Sequence, residues 1–421
     1  MYNDALQLSK DVYSTTGKSP KRGYLDRVIK LSRNAQLDDL KNQIPGPKWL
    51  TQVSAVALRD TCKRVEVAFD NFFRRLREKK GKAGFPRFKS YGKLTSIPFE
   101  NYIGGGCTIR DTQGKALKAN VPLARKGYRL DLFGVGFVKL IAHRSMEGTI
   151  KTACVERDVD GKWYVVLVTE IADQKAEPNE GPAVGIDVGL ENFLTTSDGR
   201  HEPNPKFLKG YLKKLRRLQR SSARKMETAK KRKVKFRECK NLQKSFSKIA
   251  KLYVRVRNLR KEHHHQVANR LIHEAGTICA EKLNVRGMVR NSKLSRAIQD
   301  AGWSGFLTVL KHKAAKAGVQ FVEVAASGTS QECPQCGAVK KKKLSERTHR
   351  CPCGCSMHRD HAAARVILAR GSPNAAGSVA AVRVNDSNLV GMPVSESLRG
   401  GRDEQRKSLA KFISPKKPKW H

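Results

Sequence analysis

At the middle of the chain the sequence reads Ala183-Val184-Gly185-Ile186-Asp187-Val188-Gly189-Leu190, an apolar run that carries one acid. Its length and its β-branched residues predict a buried strand, and residues 192–196 predict a second strand that runs back beside it. A carboxylate inside such a strand is costly to bury unless it binds a cation. Asp187 is therefore the first candidate for a functional residue.

Two further acids occur in comparable settings. Glu281 ends a short apolar strand predicted at 277–280, and Asp360 precedes an alanine-rich helix predicted at 362–370. Three carboxylates offer hard oxygen ligands, which favour Mg²⁺ or Mn²⁺ over Zn²⁺. Two such ions about 4 Å apart can activate a water and stabilise the leaving oxygen in phosphodiester cleavage. For any single acid a structural role is the simpler alternative, since Asp360 could merely cap its helix.

A cluster of cysteines follows the predicted strand 319–324. Cys333-Pro334-Gln335-Cys336 forms one knuckle, and Cys351-Pro352-Cys353-Gly354-Cys355 supplies the second. Four thiolates from two such knuckles suit a tetrahedral structural zinc, and they leave no open position for catalysis. Cys333, Cys336 and Cys351 are the first three ligands; Cys353 is favoured as the fourth, and Cys355 is the alternative. Unrelated thiols are the competing interpretation.

The charge of the chain points to a polyanionic partner. Among 421 residues, 84 are Lys or Arg and 38 are Asp or Glu, which gives a net charge of +46. Such a surplus repels itself in a compact fold unless a polyanion such as nucleic acid neutralises it. No stretch approaches the roughly 18 apolar residues of a membrane span, and the start lacks the pattern of a signal peptide. A cytoplasmic protein without a membrane partner is expected.

Nearly half of that net charge, +21 of +46, lies in a long helical stretch predicted at 206–273. Leucines and other apolar residues recur there at spacings of three and four, which predicts a helix pair, and basic residues fill the other faces. A solvated basic surface is the alternative to nucleic-acid binding. The three consecutive histidines at 263–265 point in different directions on a helix and are expected to face solvent or RNA rather than a metal. The nucleic-acid-binding candidates are Lys213, Lys214, Arg216, Arg217, Arg220, Arg255, Arg257 and Arg260.

The remaining segments have distinct textures. Residues 1–80 show apolar residues at helical spacing, and 85–172 contain short β-like runs separated by glycine turns, which predicts a small barrel or sandwich. A linker is expected at 177–182. Residues 372–421 are rich in Ser, Gly, Pro and charge, so a disordered tail is predicted.

Several of these motifs together resemble the TnpB family, the RNA-guided nucleases of insertion sequences and relatives of miniature type V CRISPR effectors. The segments at 185–189, 280–283 and 358–364 resemble the three RuvC motifs of that family. The run Thr329-Ser330-Gln331-Glu332-Cys333 resembles its signature ahead of the zinc ribbon, and Gly84–Lys89 resembles another family segment. The resemblance covers most of residues 1–371.

The resemblance implies an α+β multidomain fold. A helical recognition lobe would occupy 1–84, N-terminally truncated relative to the family so that the first wedge strand would be absent, and a β-barrel wedge domain would occupy 85–176. An RNase H-like (RuvC) α/β domain at 182–325 would be interrupted by the basic helical insertion 206–273. The zinc ribbon would span 326–357, the third RuvC motif and its helix 358–371, and the tail 372–421.

The resemblance also implies an activity. A transposable-element enzyme would bind a guide RNA from the element end and act as a monomer on double-stranded target DNA in the prokaryotic cytosol or nucleoid. Its single RuvC site, with Asp187, Glu281 and Asp360 as ligands of Mg²⁺ or Mn²⁺, would cleave the DNA. Two alternatives remain open, namely a guided or decayed DNA-binding protein that does not cut and a miniature type V CRISPR effector.

Overall fold

The computed structural model describes residues 2–18, 20–45, 50–78, 83–89, 95–99, 102, 104–122, 124–172, 179–342 and 346–371. The chain divides into two compact units, 1–173 and 174–421, just ahead of the predicted linker. The predicted tail at 372–421 lies outside the described residues. Within the described part of the chain, no helix has the length and apolar character needed to cross a membrane.

The first unit begins with helices, as the apolar spacing predicts, and its described residues form three of them. They are α1 (Tyr2–Thr16), α2 (Arg22–Lys41) and α3 (Ala55–Arg77). Their apolar stripes meet in a core that contains Leu6, Leu25 and Phe69. The segment before the strands is fixed to the start of α1, because the Asn3 side chain both donates to the Lys89 carbonyl at 3.0 Å and accepts from the Lys89 amide at 2.8 Å.

The described residues of this unit also form seven strands: β1 (Ser96–Phe99), β2 (Cys107–Arg110), β3 (Ala119–Val121), β4 (Ala124–Leu132), β5 (Gly136–Ala142), β6 (Met146–Arg157) and β7 (Trp163–Glu170). The long strand β6 pairs antiparallel with β1, β3 and β7, while β2, β4 and β5 form a separate antiparallel sheet. Both sheets contribute to one core, Ile150 and Ala153 from the first and Ile109 and Leu130 from the second. The predicted β region is therefore observed as two sheets around one core.

The second unit is built on a five-stranded mixed sheet. Its strands are β8 (Ala183–Asp187), β9 (Asn192–Thr196), β10 (His201–Pro203), β11 (Thr277–Lys282) and β12 (Gln320–Ala325), in the order β10-β9-β8-β11-β12. The strands β8, β11 and β12 are parallel, and β9 and β10 are antiparallel. The strands predicted at 183–190, 192–196, 277–280 and 319–324 are confirmed to within a few residues.

Helices cover the sheet on both faces. One face packs against the C-terminal half of α5 (Lys240–Glu274) and against α8 (Trp303–Lys316), in a core that includes Ile186, Ile278 and Phe306. The opposite face packs against α9 (Arg359–Gly371), where Ile367 meets Cys279 and Val324. Neighbouring residues of β11 therefore face different helices, as the alternation of a strand requires.

The predicted basic helical stretch is a helix pair. Helix α4 (Phe207–Lys231) packs on α5 through Leu215, Ile249 and Leu252. The expectation that the histidines face solvent or RNA is wrong for His264. This side chain is buried, and its Nε2 lies 3.0 Å from the Ala301 carbonyl oxygen while its ring stacks on Phe193. The C-terminal half of α5 faces the sheet core, which a helix considered in isolation does not reveal.

Short elements follow β11, and others follow β12, where the ribbon cysteines lie. Between β11 and α8 lie α6 (Val285–Met288) and α7 (Ser295–Ala301). After β12, the hairpin of β13 (Thr348–Arg350) and β14 (Ser356–His358) leads directly into α9. Because α9 begins at Arg359, Asp360 lies inside its first turn rather than ahead of it, so the alternative of an N-cap role does not fit the observed helix start.

Candidate active site

Two of the candidate acids lie at the carboxyl ends of neighbouring parallel strands, at the same edge of the sheet. The register of β8 and β11 pairs Gly185 with Cys279 and Ile186 with Ala280. Asp187 and Glu281 are the next residues of those two strands. The pairing joins segments that lie far apart in sequence and brings their carboxylates to one place, which no local pattern indicates.

The third acid reaches the same place because α9 lies unusually close to β8. A Cβ atom on Gly185 would stand 2.1 Å from the Ala364 carbonyl oxygen and 2.7 Å from the Leu368 amide nitrogen. Only glycine permits so close an approach of a helix to a strand. A Cβ atom on Gly189 would lie 3.9 Å from Oδ2 of Asp360, so this carboxylate is beside the residues that follow Asp187.

Asp187 and Glu281 lie in an electrostatic environment that disfavours negative charge. Burial raises the pKa of Asp187 well above its ordinary value, the charges of Glu281 and Asp360 raise it further, and Arg359 opposes them. Burial also raises the pKa of Glu281, against a hydrogen bond from Thr329 and the charge of Arg370. A bound cation would remove both penalties, so this donor set fits divalent metal ions.

The carboxylates are spread more widely than the thiols of the ribbon. Among the described residues, the groups of potential ligands whose donor atoms all lie within 4.8 Å of one another are both found in the cysteine cluster. The three acids are in neither group, so their carboxylate oxygens do not all lie within 4.8 Å of one another.

Sequence reasoning missed two side chains that contact this site. Thr329 donates its hydroxyl hydrogen to Oε1 of Glu281, and Arg370 lies close enough to lower the pKa of Glu281. Thr329 belongs to the signature before the first cysteine knuckle, but the signature alone assigns it no function. Arg370 is part of the helix predicted at 362–370, where a basic residue in the last turn is expected for the helix dipole alone.

The cysteine knuckles come together as the sequence predicts for a zinc ribbon. The sulfurs of Cys333, Cys336, Cys351 and Cys353 lie within 4.8 Å of one another, with 3.7 Å between Cys333 and Cys353 and 3.5 Å between Cys336 and Cys351. Sulfurs about 2.3 Å from a tetrahedral centre are roughly 3.8 Å apart. These separations are compatible with four thiolates around one Zn²⁺ ion.

A second group overlaps with the first. The sulfurs of Cys333 and Cys355 and a ring nitrogen of His349 also lie within 4.8 Å of one another, and all three residues are buried. The ammonium group of Lys342 contacts Nδ1 of His349. Because an ammonium group only donates, Nδ1 is the acceptor and the ring proton resides on Nε2. In this tautomer Nε2 carries the ring proton and has no free lone pair to ligate a metal.

The basic candidates on α4 and α5 differ in the exposure of their side chains and in whether those side chains are already hydrogen-bonded within the protein. Lys213, Lys214, Arg216, Arg217 and Arg220 are exposed on α4. On α5, Arg255 is exposed and lies over the ring of Tyr211, and Arg257 is half-buried. Arg260 instead donates to both the carbonyl and the carboxylate of Asp300, at 2.6 and 3.1 Å, so its guanidinium is already engaged.

Two family models match segments that lie mostly in the second unit. Residues 166–292 match the model OrfB_IS605, described as "Probable transposase". Residues 303–367 match the model described as Cas12f1-like, TNB domain. The first match contains Asp187 and Glu281, and the second contains all the ribbon cysteines together with Asp360.

Solved structures give a weaker similarity. A Cas12f1–sgRNA–target DNA complex is 14% identical, with a TM-score of 0.31 over 87% of this chain and 90% of that chain. A CRISPR–Cas12f ternary complex is 17% identical, with a TM-score of 0.33 over 89% of this chain and 79% of that chain. At these scores, neither structure adds to the description of the fold.

Curated relatives are more informative. A protein of Streptomyces pristinaespiralis that carries the name RNA-guided DNA endonuclease is 32% identical over 77% of this chain and 73% of its own length. Its counterpart InsQ of Escherichia coli K12 is 31% identical over 77% of this chain and 76% of its own length. The TnpB-like protein L79 of Acanthamoeba polyphaga mimivirus is 26% identical over 55% of this chain and 45% of its length. From the identity and coverage of the first two relatives, the chain belongs to the TnpB family of RNA-guided DNA endonucleases.

Proposed function

We propose that this chain cleaves DNA by metal-dependent hydrolysis at Asp187, Glu281 and Asp360, guided by an RNA from the end of its transposable element. The observation that carries the proposal is the convergence of these three acids, two at the ends of paired parallel strands and one in the first turn of α9. The order of the sheet, with antiparallel β9 and β10 beside parallel β8, β11 and β12, supports an RNase H-like domain.

The carboxylates of the site would act by binding divalent cations, and a neighbouring arginine would offset part of their negative charge. Asp187, Glu281 and Asp360 would ligate Mg²⁺ or Mn²⁺, which when bound activates the attacking water and stabilises the leaving oxygen of a phosphodiester. Burial of Asp187 and Glu281 strengthens their interaction with a cation. The positive charge of Arg359 opposes the raised pKa of Asp187 and so favours the ionised form of this ligand.

The cysteine cluster would serve structure rather than catalysis. We assign Cys333, Cys336, Cys351 and Cys353 to a structural Zn²⁺, because their sulfur separations fit a tetrahedron and because the proton on Nε2 of His349 disfavours the overlapping group with Cys355. Four thiolates on one divalent ion carry excess negative charge. Lys342 lies where it offsets part of that charge.

The partners follow from the charge and from the names of the relatives. A guide RNA and double-stranded target DNA would neutralise the basic surplus, mainly through backbone contacts. The exposed residues of α4 are the best placed of the candidates to contact phosphates. We assign one chain to each guide RNA, acting in the prokaryotic cytosol or nucleoid, and the wedge domain to the two-sheet region of the first unit.

The test is cleavage by the purified complex with its RNA. The chain is co-expressed with the flanking element end, and plasmids carrying the matching target beside a randomised neighbouring sequence are incubated with Mg²⁺. Wild type is expected to cut matched plasmids, Asp187→Ala is expected to bind RNA without cutting, and Glu180→Ala, which changes an exposed acid ahead of β8, is expected to cut like wild type. Binding of RNA and target without cutting by wild type would instead indicate a guided DNA-binding protein.

A further inference from the structure

The loop between β12 and the first cysteine knuckle contacts the candidate active site. Thr329 is only 3% exposed, and its hydroxyl donates to Oε1 of Glu281. Glu281 stands at the end of β11, whose backbone fixes the Cα position but leaves the side-chain torsions to its surroundings. The hydrogen bond from Thr329 selects one orientation of this carboxylate and occupies one of its two oxygens.

Arg370 holds this loop in place from the far end of α9. Its Nη1 donates to the carbonyl oxygens of Ala325 at 3.1 Å and of Ser327 at 2.8 Å. Its Nη2 donates to the carboxylate of Glu332 at 2.5 Å. One guanidinium thus binds the loop on both sides of Thr329, and its planar array of donors keeps these acceptors in a fixed relation.

A second arginine of α9 secures the same loop near the acids. Arg359 donates to the hydroxyl of Ser330 at 3.3 Å. Asp360 follows Arg359 directly, so the helix that carries one candidate ligand also holds the loop that orients another. Glu281 and Asp360 are therefore connected through Thr329, its loop and the two arginines.

We infer that Thr329 is a positioning residue that holds Glu281 in the orientation for binding a divalent metal, and that Arg370 fixes the loop that presents Thr329. This inference rests on the proposed function. A residue that hydrogen-bonds to a metal ligand typically changes metal affinity or activity by about 10- to 100-fold when it is removed. Thr329 is outside the metal-ligand set and need not touch the substrate.

The test separates the hydroxyl of Thr329 from its volume. Thr329→Val keeps the shape and removes the donor, whereas Thr329→Ser keeps the donor. Mn²⁺ binding to the protein–RNA complex is measured by electron paramagnetic resonance, and cleavage is titrated with Mg²⁺. We expect Thr329→Val to weaken Mn²⁺ binding by about 10-fold or more and to raise the Mg²⁺ concentration for half-maximal cleavage accordingly. Thr329→Ser should stay within about threefold of wild type, below the roughly 10-fold change expected when the donor is lost.

Further variants make the outcome specific. Arg370→Gln should weaken Mn²⁺ binding in the same direction, and Thr308→Val, at an exposed helical threonine of α8, should leave it unchanged. Zinc content is measured in every variant and should remain that of wild type. Suppose that Asp187→Ala abolishes Mn²⁺ binding. The role of the Thr329 hydroxyl would then be overturned if Thr329→Val bound Mn²⁺ like wild type, or if Thr329→Ser lost as much Mn²⁺ affinity as Thr329→Val. Equal Mn²⁺ binding by wild type and Asp187→Ala would overturn the proposed function and this inference with it.

Discussion

At the scale of single residues, Gly185 explains how α9 brings Asp360 to Asp187. The Cβ of an alanine at this position would stand 2.1 Å from a backbone oxygen of α9. Gly185→Ala must therefore displace the helix, and we expect a loss of roughly 1–3 kcal/mol in the free energy of unfolding together with loss of cleavage. Chemical denaturation and the plasmid assay measure both effects.

The matched control for Gly185 lies in α4. A Cβ on Gly210 meets nothing within 4 Å, and this glycine is helical. Gly210→Ala is expected to leave stability unchanged or to raise it by up to about 1 kcal/mol, because alanine is the better helix former. Equal stability of the two variants would show that α9 can move away from β8 at little cost.

His264 makes the stability of the second unit depend on pH. Burial lowers its pKa to about 4 despite the hydrogen bond to Ala301, and the positive charge of Arg260 and the neighbours His263 and His265 lower it further. The folded state thus binds fewer protons than the unfolded state, whose histidine titrates near 6.5. The stabilisation is complete above pH 6.5 and is lost as the pH falls toward 4, by up to about 3 kcal/mol.

The check compares unfolding of wild type and His264→Phe at pH 7.5 and pH 4.5. The phenylalanine keeps the stacking on Phe193 but leaves the Ala301 carbonyl without its donor, which should cost about 1 kcal/mol at pH 7.5. At pH 4.5 the variant should be the more stable of the two. The same decline in both proteins would assign the acid sensitivity to other groups.

At the scale of elements, the ribbon poses a choice between two neighbouring cysteines. Cys353 lies with the four-thiol group, whereas Cys355 lies with Cys333 and His349. We expect Cys353→Ser to lose most of the bound zinc and Cys355→Ser to keep about one zinc per chain, since a structural site needs four ligands. Metal analysis of the purified proteins after dialysis measures this. Retention by Cys353→Ser and loss by Cys355→Ser would exchange the two roles.

The longer helices and the central strands could be predicted from the sequence, whereas the contacts between them could not. Apolar alternation and helical spacing are local, so the strands at 183–187 and 277–282 and the helix pair at 207–274 follow from them. The adjacency of Asp187 and Glu281 depends on the pairing of β8 with β11 across that helix pair. The contact of Thr329 with Glu281 requires the loop after β12 to return to the end of β11, which no periodicity encodes.

The same limit explains why the sequence does not predict the burial of His264 and why it leaves the fourth zinc ligand open. A helix pattern shows which residues share a face but not which neighbour covers it, and α5 changes from packing on α4 to packing on the sheet along its length. For the cysteines, both spacings are compatible with a knuckle. The distinction depends on the backbone path through Pro352 and Gly354, which places Cys353 and Cys355 in different groups.

At the scale of the whole molecule, the excess of basic residues should determine how RNA binding responds to salt. Each phosphate neutralised by Lys or Arg releases counterions, which contributes about 0.7 to the slope of log affinity against log salt for single strands and about 0.9 for duplexes. The basic side chains behind the net charge of +46 can contact phosphates only where they are exposed. On α4, residues 213, 214, 216 and 217 meet that condition, whereas Arg260 is engaged with Asp300.

Neutralising the exposed face of α4 tests this directly. Replacement of Lys213, Lys214, Arg216 and Arg217 by Gln should lower the salt slope by about 3 and weaken RNA binding at every salt concentration. Fluorescence anisotropy with RNA from the element end, between 50 and 300 mM salt, measures it. A control variant with Gln at Lys18, Arg27, Lys30 and Arg59 removes the same charge from exposed positions of the first unit. If both variants lower the slope equally, net charge and not the α4 face governs binding; a smaller effect of the control assigns the phosphate contacts to α4.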